Sequence, residues 1–130
     1  MILPHCGRQL WGPPVVKRDI SLWDEGGPMQ FFYDNPNVYF DSGPGYDPLL
    51  FPPPAGDPNQ LQQLEKVLKI VGPERIICGS DSPYWPSKLE VEKLLQLDLS
   101  EHDRDLVFRA NIERLIIRWL RDYPDYQLTS

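Results

Sequence analysis

The triplet Gly79-Ser80-Asp81 is the first place in this sequence where residue types and spacing could support chemistry. It follows the segment Val71-Gly72-Pro73-Glu74-Arg75-Ile76-Ile77-Cys78, in which the end of a helix leads directly into a short apolar strand. An acid at the C-terminal end of a parallel strand is a common catalytic position in α/β proteins. The carboxylate of Asp81 could bind a metal ion or hold a catalytic water, or it could only cap the next element.

Three short apolar runs that end in polar residues predict the strands that would position such groups. They are Ile2-Leu3-Pro4-His5, then Val38-Tyr39-Phe40 before Asp41-Ser42-Gly43, and finally Arg75 to Gly79. A helical turn or two is expected around Met29 to Tyr33, before the turn signal Asn35-Pro36-Asn37.

Helical patterns lie between and after these strands. Residues 60–71 carry apolar residues on one face, and Gly72 with Pro73 predicts the helix end. Ser87-Lys88-Leu89-Glu90 is typical of a capping box that opens a short helix to about Leu97. Ser100-Glu101-His102-Asp103 opens the last helix in the same way. The apolar face of that last helix comprises Phe108, Ile112, Leu115, Ile116, Trp119 and Leu120.

This alternation favours parallel βαβ units, whose strand-to-helix loops all emerge at one edge of the sheet. The expected neighbours at that edge are His5, Asp81, Trp11, Tyr46, Phe51, Tyr84 and Trp85. A cleft lined by aromatic side chains with a few polar groups is the usual composition of a small-molecule site. The aromatic residues could instead only cover the end of the sheet. Residues 43–59 contain six prolines and three glycines, which predicts a long loop that sets substrate choice.

The length, net charge, apolar runs and cysteine count of the chain exclude several classes of protein. A length of 130 residues predicts one domain, and a net charge of −6 without a Lys/Arg stripe excludes nucleic acid as an expected partner. No apolar run approaches the roughly 20 residues of a membrane span. The start, Met1-Ile2-Leu3-Pro4-His5, lacks the regions of a signal peptide, and Cys6 and Cys78 are too few for a disulfide scaffold. We therefore expect a cytoplasmic protein with reduced, mostly buried thiols.

Four segments together make the sequence similar to the C-terminal part of the amidohydrolase-related family of metal-dependent hydrolases and decarboxylases. They are Leu3-Pro4-His5-Cys6-Gly7, Asn37-Val38-Tyr39-Phe40-Asp41-Ser42, the segment from Val71 to Pro83 that contains Gly-Ser-Asp-Ser-Pro, and Asn111-Ile112-Glu113-Arg114-Leu115. The third resembles the most specific signature of the family. The resemblance covers nearly the whole chain.

The resemblance implies an α/β fold, a partial (β/α)8 TIM barrel with about the last three β/α units and a C-terminal helix. Residues 1–121 would form this part of the barrel, and residues 122–130 a polar tail. His5, Asp41 and Asp81 would end the sixth, seventh and eighth strands. Asp81 would ligate a divalent metal, zinc or else manganese, or handle the proton of its bound water, and His5 would orient or deprotonate that water.

The sequence departs from the family at the metal ligands. The His-x-His pair of the first strand and the histidine of the fifth are absent, and the only other histidine, His102, is expected at the surface. His5 and Asp81 alone fall short of the three protein ligands of a typical catalytic zinc site. Arg8 also replaces the second glycine of the family's His-x-Gly-Gly pattern.

Three strands alone would leave two open sheet edges. The chain could therefore be a fragment, could pair with a second copy or a separate N-terminal half-barrel, or could be a degenerate remnant. Three functions stay open at this point. The first is an enzyme part that hydrolyses or decarboxylates a small carboxylated or aromatic substrate. The second is an inactive interaction or structural module. The third is an unrelated α/β binding module in which Gly-Ser-Asp is only a turn.

Overall fold

The computed structural model describes residues 1–4, 6, 20–43, 60–80 and 86–125. The elements within these ranges are β1 (Ile2–Leu3), α1 (Gln30–Tyr33), β2 (Tyr39–Asp41), α2 (Gln60–Val71), β3 (Ile76–Ile77), α3 (Ser87–Leu94), α4 (Glu101–Asp105) and α5 (Asn111–Asp122). Short 3-10 helices cover Ile20–Trp23 and Pro73–Arg75, and a π-helical segment, Leu106–Ala110, joins α4 to α5. The predicted loop at 43–59 lies almost wholly outside the described residues.

The three strands form one parallel sheet in the order β1-β2-β3. Leu3 lies opposite Phe40 in the β1–β2 pair, and Phe40 lies opposite Ile76 in the β2–β3 pair. The predicted parallel arrangement of all three strands is therefore confirmed. β1 and β3 are shorter than their predicted runs, and Arg75 belongs to the 3-10 turn before β3, whereas β2 is displaced by one residue from Val38-Tyr39-Phe40.

Helices pack against this sheet around one apolar cluster. The fully buried side chains of the cluster include Trp23, Met29, Val38, Phe40, Leu64, Val67, Ile76 and Leu94. They lie between Trp23 and Leu94 and include residues of β2, α2, β3 and α3. The described residues therefore form a small α/β arrangement with a shared core.

Two of the predicted helix boundaries follow from local backbone chemistry. α2 ends at Val71, and Gly72 adopts a positive φ of 81°, which a glycine accommodates without strain. The side chain of Ser100 accepts a hydrogen bond from the backbone N–H of Asp103 at 3.0 Å and so caps α4.

The capping box predicted for α3 is wrong. Pro86 occupies the N-cap position without a side-chain hydrogen bond, and Ser87 is the first helical residue. The Ser87 hydroxyl lies 3.1 Å from the hydroxyl of Ser80, and the Glu90 side chain is buried instead of reaching back to the helix start. The helix also ends at Leu94, three residues before the predicted end at Leu97.

Arg75 joins α1, the turn after it and β2. Its guanidinium donates hydrogen bonds of 2.7 to 2.9 Å to the carbonyl oxygens of Phe32, Tyr33, Asn35 and Val38. It also lies 5.6 Å from the centroid of the Phe40 ring. Because the last carbonyls of a helix have no intrahelical partner, Arg75 supplies donors that the end of α1 needs.

The outer edge of β3 is covered by the last helical segment. Backbone groups of successive strand residues point to opposite edges, and the carbonyl of Ile77 accepts a hydrogen bond from the N–H of Ser42, which directly follows β2. On the other edge, the N–H of Cys78 donates to the carbonyl of Val107 at 3.1 Å, and the Asn111 side chain donates to the carbonyl of Ile76 at 2.8 Å. The expectation of two open sheet edges is therefore wrong, because β3 is satisfied by a helix.

The face of α5 remote from this contact exposes apolar side chains. Ile116, Ile117 and Trp119 are 45%, 66% and 40% exposed. Ile116 and Trp119, with Met1 and Ile2 of the β1 end, border a groove of about 350 Å³. A search of the described helices found none that is both long and apolar enough to cross a membrane.

Candidate functional site

The residues predicted to form the site fall outside the described part of the chain. This holds for His5, Asp81, Trp11, Tyr46, Phe51, Tyr84 and Trp85. The structure does describe the residues that adjoin them at the ends of the three strands. Those residues determine where each strand ends and how the three ends are joined.

The ends of β1, β2 and β3 are joined by direct hydrogen bonds. The Cys6 thiol donates to the carbonyl of Asp41 at 3.3 Å, and the backbone N–H of Ser42 donates to the carbonyl of Ile77 at 2.9 Å. The N–H of Gly79 donates to the hydroxyl of Ser42 at 3.2 Å. The carboxyl ends of all three strands therefore meet at one edge, as a parallel sheet requires.

Cys6, the residue after His5, has a positive φ of 51°, which is uncommon for a residue with a side chain. Two long-range contacts hold it there. The Cys6 thiol bonds Asp41, and the Cys6 carbonyl accepts a 2.8 Å hydrogen bond from the indole N–H of Trp23. The chain that leaves β1 is thus anchored to the core immediately after His5.

Gly79 and Asp41 are in close contact at this edge. The Asp41 carboxylate accepts a 2.6 Å hydrogen bond from the N–H of Gly43. A Cβ atom placed on Gly79 would lie 2.5 Å from one Asp41 oxygen and 2.8 Å from the other, closer than real Cβ contacts allow. The glycine of Gly79-Ser80-Asp81 therefore makes room for the acid that ends β2.

A buried polar cluster, formed by Ser42, Glu90 and Lys93, lies beside these strand ends. The Ser42 hydroxyl donates to Glu90 Oε1 at 2.6 Å, and the Lys93 ammonium lies 2.9 Å from the same oxygen. Lys93 also donates to the carbonyl of Ser42 at 2.8 Å. Glu90 is 1% exposed and Lys93 8% exposed, so this ion pair is buried between α3 and the end of β2.

Burial raises the pKa of the Glu90 carboxyl, against the opposing effects of the Lys93 charge and the Ser42 hydrogen bond. The capping-box interpretation missed the cluster because it assigned Glu90 a local role. The spacing of Glu90 and Lys93 on one helical face was the available signal. Nothing in the sequence indicated that Ser42, 48 positions earlier, would meet them.

The two cysteines are free, as expected from the sequence. Burial is the main cause that raises the pKa of the Cys6 thiol to about 12 and that of Cys78 to about 11. Because the thiolate is the reactive form, neither side chain has the character of a catalytic nucleophile.

We expect slow alkylation of both thiols in the folded chain. At pH 8 iodoacetamide should modify Cys6 and Cys78 at least about ten-fold more slowly than an unperturbed thiol of pKa about 8.5. Mass spectrometry of quenched samples measures the rate, and the chain unfolded in urea serves as the control. A rate in the folded chain equal to the unfolded rate would contradict the burial seen here.

A metal site in a protein needs several His, Cys, Asp or Glu side chains close together. Within the described ranges, no group of three or more His, Cys, Asp or Glu residues could hold a metal ion. His102, one of two histidines, is exposed on α4, in agreement with the sequence prediction. His5 and Asp81 lie outside the described residues, and even if both coordinated they would fall short of the three protein ligands of a typical catalytic zinc site.

Comparison with known proteins gives one match. The sequence model of a family described as amidohydrolase matches residues 1–116. Neither the curated proteins nor the solved structures contain a significant match. The family match spans all three strands and the first half of α5, and therefore includes every strand end described above.

Proposed function

The chain belongs to the amidohydrolase family, and on that premise we propose that it is the C-terminal part of a metal-dependent enzyme of this family. In this proposal residues 1–121 are about the last three β/α units of a (β/α)8 barrel, and residues 122–130 are a polar tail. The family generally uses divalent metals, so zinc or manganese would be the cofactor. The reaction would be hydrolysis or non-oxidative decarboxylation of a small carboxylated or aromatic substrate by metal-activated water.

The observation that carries this proposal is the family match over residues 1–116, which includes the three strand-end segments. The arrangement of the described residues supports it. The strands are parallel, their carboxyl ends are hydrogen-bonded to one another, and residues within two positions of His5 and Asp81 take part in those bonds. In this family of folds, catalytic groups stand at the carboxyl ends of strands.

Asp81 is proposed as a metal ligand and catalytic residue, and His5 as a catalytic residue that acts on water. The proposed substrate-binding residues are Trp11, Tyr46, Phe51, Tyr84 and Trp85. Because this donor set is incomplete for zinc, we propose that a second copy or a separate N-terminal half-barrel supplies the remaining ligands. The alternative is an inactive fragment or remnant that acts as an interaction or structural module, which the missing His-x-His pair favours.

Zinc titration of the purified chain tests the role of Asp81. With Asp81 as the one metal ligand proposed on this chain, the chain should bind Zn²⁺ weakly, and Asp81→Asn should lower the affinity by about ten-fold or more, since a direct ligand is worth at least as much as a residue that only orients one. His5→Asn should retain zinc. The matched controls are Asp98→Asn and His102→Asn, which alter exposed residues.

Metal content is then measured by mass spectrometry on the peak from a sizing column. Zinc that follows the dimer peak would show that a second copy completes the site. Zinc binding that is unchanged in Asp81→Asn, or that is equally reduced in Asp98→Asn, would contradict the assignment of Asp81 and favour the inactive module.

A further inference from the structure

Ser42 is the point at which two strands and a helix are joined. It directly follows β2, and its hydroxyl accepts from the N–H of Gly79, which lies just beyond β3. The same hydroxyl donates to Glu90, and the Ser42 carbonyl accepts from Lys93. Both charged partners belong to α3. Together with the bond from the Ser42 N–H to the carbonyl of Ile77, these contacts connect the ends of β2 and β3 with one face of α3.

In each hydrogen bond of this cluster, the groups around it determine which atom donates and which accepts. Because the Ser42 hydroxyl gives its only proton to Glu90, a lone pair of the oxygen is left for the N–H of Gly79. Lys93 holds Glu90 Oε1 and the Ser42 carbonyl with one ammonium group. The other oxygen of Glu90, Oε2, has no hydrogen-bond partner in the described part of the chain. The carboxylate is therefore held through a single oxygen that serves both Ser42 and Lys93.

The contacts of Ser42 can influence Asp81, the acid of the proposed site, because Ser42 bonds Gly79 and Gly79 is joined to Asp81 by the backbone. Gly79 is two residues before Asp81, and its closeness to the Asp41 carboxylate leaves no space for a side chain at position 79. A full ion pair buried beside an uncharged serine costs desolvation energy that apolar side chains of the same size would avoid. The presence of this ion pair would be explained if it served to orient the Ser42 hydroxyl.

We propose that Glu90 and Lys93 are positioning residues, which act through Ser42 to hold Gly79 and so set the direction in which the chain leaves β3 toward Asp81. The importance of Asp81 rests on the proposed function, whereas the hold on Gly79 does not. The roles within the cluster are distinct. Ser42 makes the contact, Glu90 orients its hydroxyl, and Lys93 balances the charge of Glu90.

Amide hydrogen exchange, resolved by NMR on the full chain, tests the hold on Gly79. Ser42→Ala should speed exchange of the Gly79 amide by about ten-fold beyond any change in the core amides of Phe40 and Val67, because the acceptor is lost. Ser42→Thr keeps the hydroxyl and should restore protection. Glu90→Gln keeps the shape of the side chain and should give an intermediate rate. The shifts of the Gly79 and Ser80 amides should move in the same order.

Ser100→Ala is the matched control, because it makes the same substitution at a capping serine far along the chain. It should change Gly79 exchange only as much as it changes core exchange. Equal acceleration of Gly79 in both variants, or failure of Ser42→Thr to restore protection, would overturn the proposal.

Zinc titration distinguishes this proposal from the proposed function. If Asp81 binds Zn²⁺, Ser42→Ala should weaken binding by about ten-fold, in the range seen when residues that orient ligands are removed. Zinc binding that does not depend on Asp81 would contradict the proposed function, and the exchange rate of Gly79 would still decide whether Ser42 holds that residue. Zinc affinity that depends on Asp81 but is unchanged in Ser42→Ala would overturn the positioning role.

Discussion

Replacement of Arg75 with lysine should lower the free energy of unfolding by about 3 kcal/mol. The guanidinium donates to four backbone carbonyls, those of Phe32, Tyr33, Asn35 and Val38. A lysine ammonium keeps the charge, but its compact donor group cannot reach the same four acceptors. Carbonyls at the end of α1 and in the following turn would lose their partners. Urea denaturation followed by circular dichroism measures the change.

Arg109→Lys is the matched control. Arg109 also makes several charge-assisted bonds, to Asp105 and Glu113, but its side chain is 57% exposed and the pairs lie on the surface of the helix. Exposed ion pairs add little to stability, so this substitution should lower the free energy of unfolding far less than Arg75→Lys does. If Arg75→Lys cost no more than Arg109→Lys, the four carbonyl contacts would not be a major source of stability.

Lys93→Met should destabilise the fold by about 3 kcal/mol at neutral pH, because it leaves the buried carboxylate of Glu90 without a counter-charge. The double substitution Glu90→Gln with Lys93→Met removes both charges and should recover part of this loss. Lys88→Met on the same helix is the control, because Lys88 is 85% exposed and lies 3.9 Å from Glu92. It should cost less than about 1 kcal/mol.

The stability lost in Lys93→Met should be larger at high pH than at low pH. The folded-state pKa of Glu90 is already raised by burial, and removal of Lys93 takes away the opposing charge. The folded state then holds the Glu90 proton more tightly than the unfolded chain. Relative stability therefore falls as pH rises above the ordinary carboxyl pKa of about 4.3. Unfolding at pH 4 and pH 8 measures this, and an equal loss at both values would show that Glu90 is not an isolated buried charge.

The elements that sequence analysis predicted correctly have local causes. The end of α2 is set by Gly72 with its positive φ, and the start of α4 by the Ser100 side chain, so each boundary depends on residues within one helical turn. The three strands were visible because apolar runs ended in polar residues. Their parallel pairing followed from the alternation with helices.

The misassigned features depend on contacts between distant positions. Glu90 fits a capping box by spacing, yet its partner is Ser42, and a single-sequence pattern contains no information on a contact across 48 positions. The contact between the last helical segment and the outer edge of β3 was missed for the same reason, since Asn111 lies 35 positions after Ile76. The proposed residues His5 and Asp81 came from the family resemblance and remain predictions.

The helix that covers β3 also limits how this sheet can grow. Val107 and Asn111 are hydrogen-bonded to the N–H of Cys78 and the carbonyl of Ile76, which a further strand would need for pairing. By contrast, β1 has no described strand on its outer side. Fibre growth by strand addition requires two free edges on every molecule, so that each new chain offers another edge. In the described part of this chain only β1 remains to pair. Association through the sheet should therefore stop at two molecules, with the helix-covered β3 at both ends.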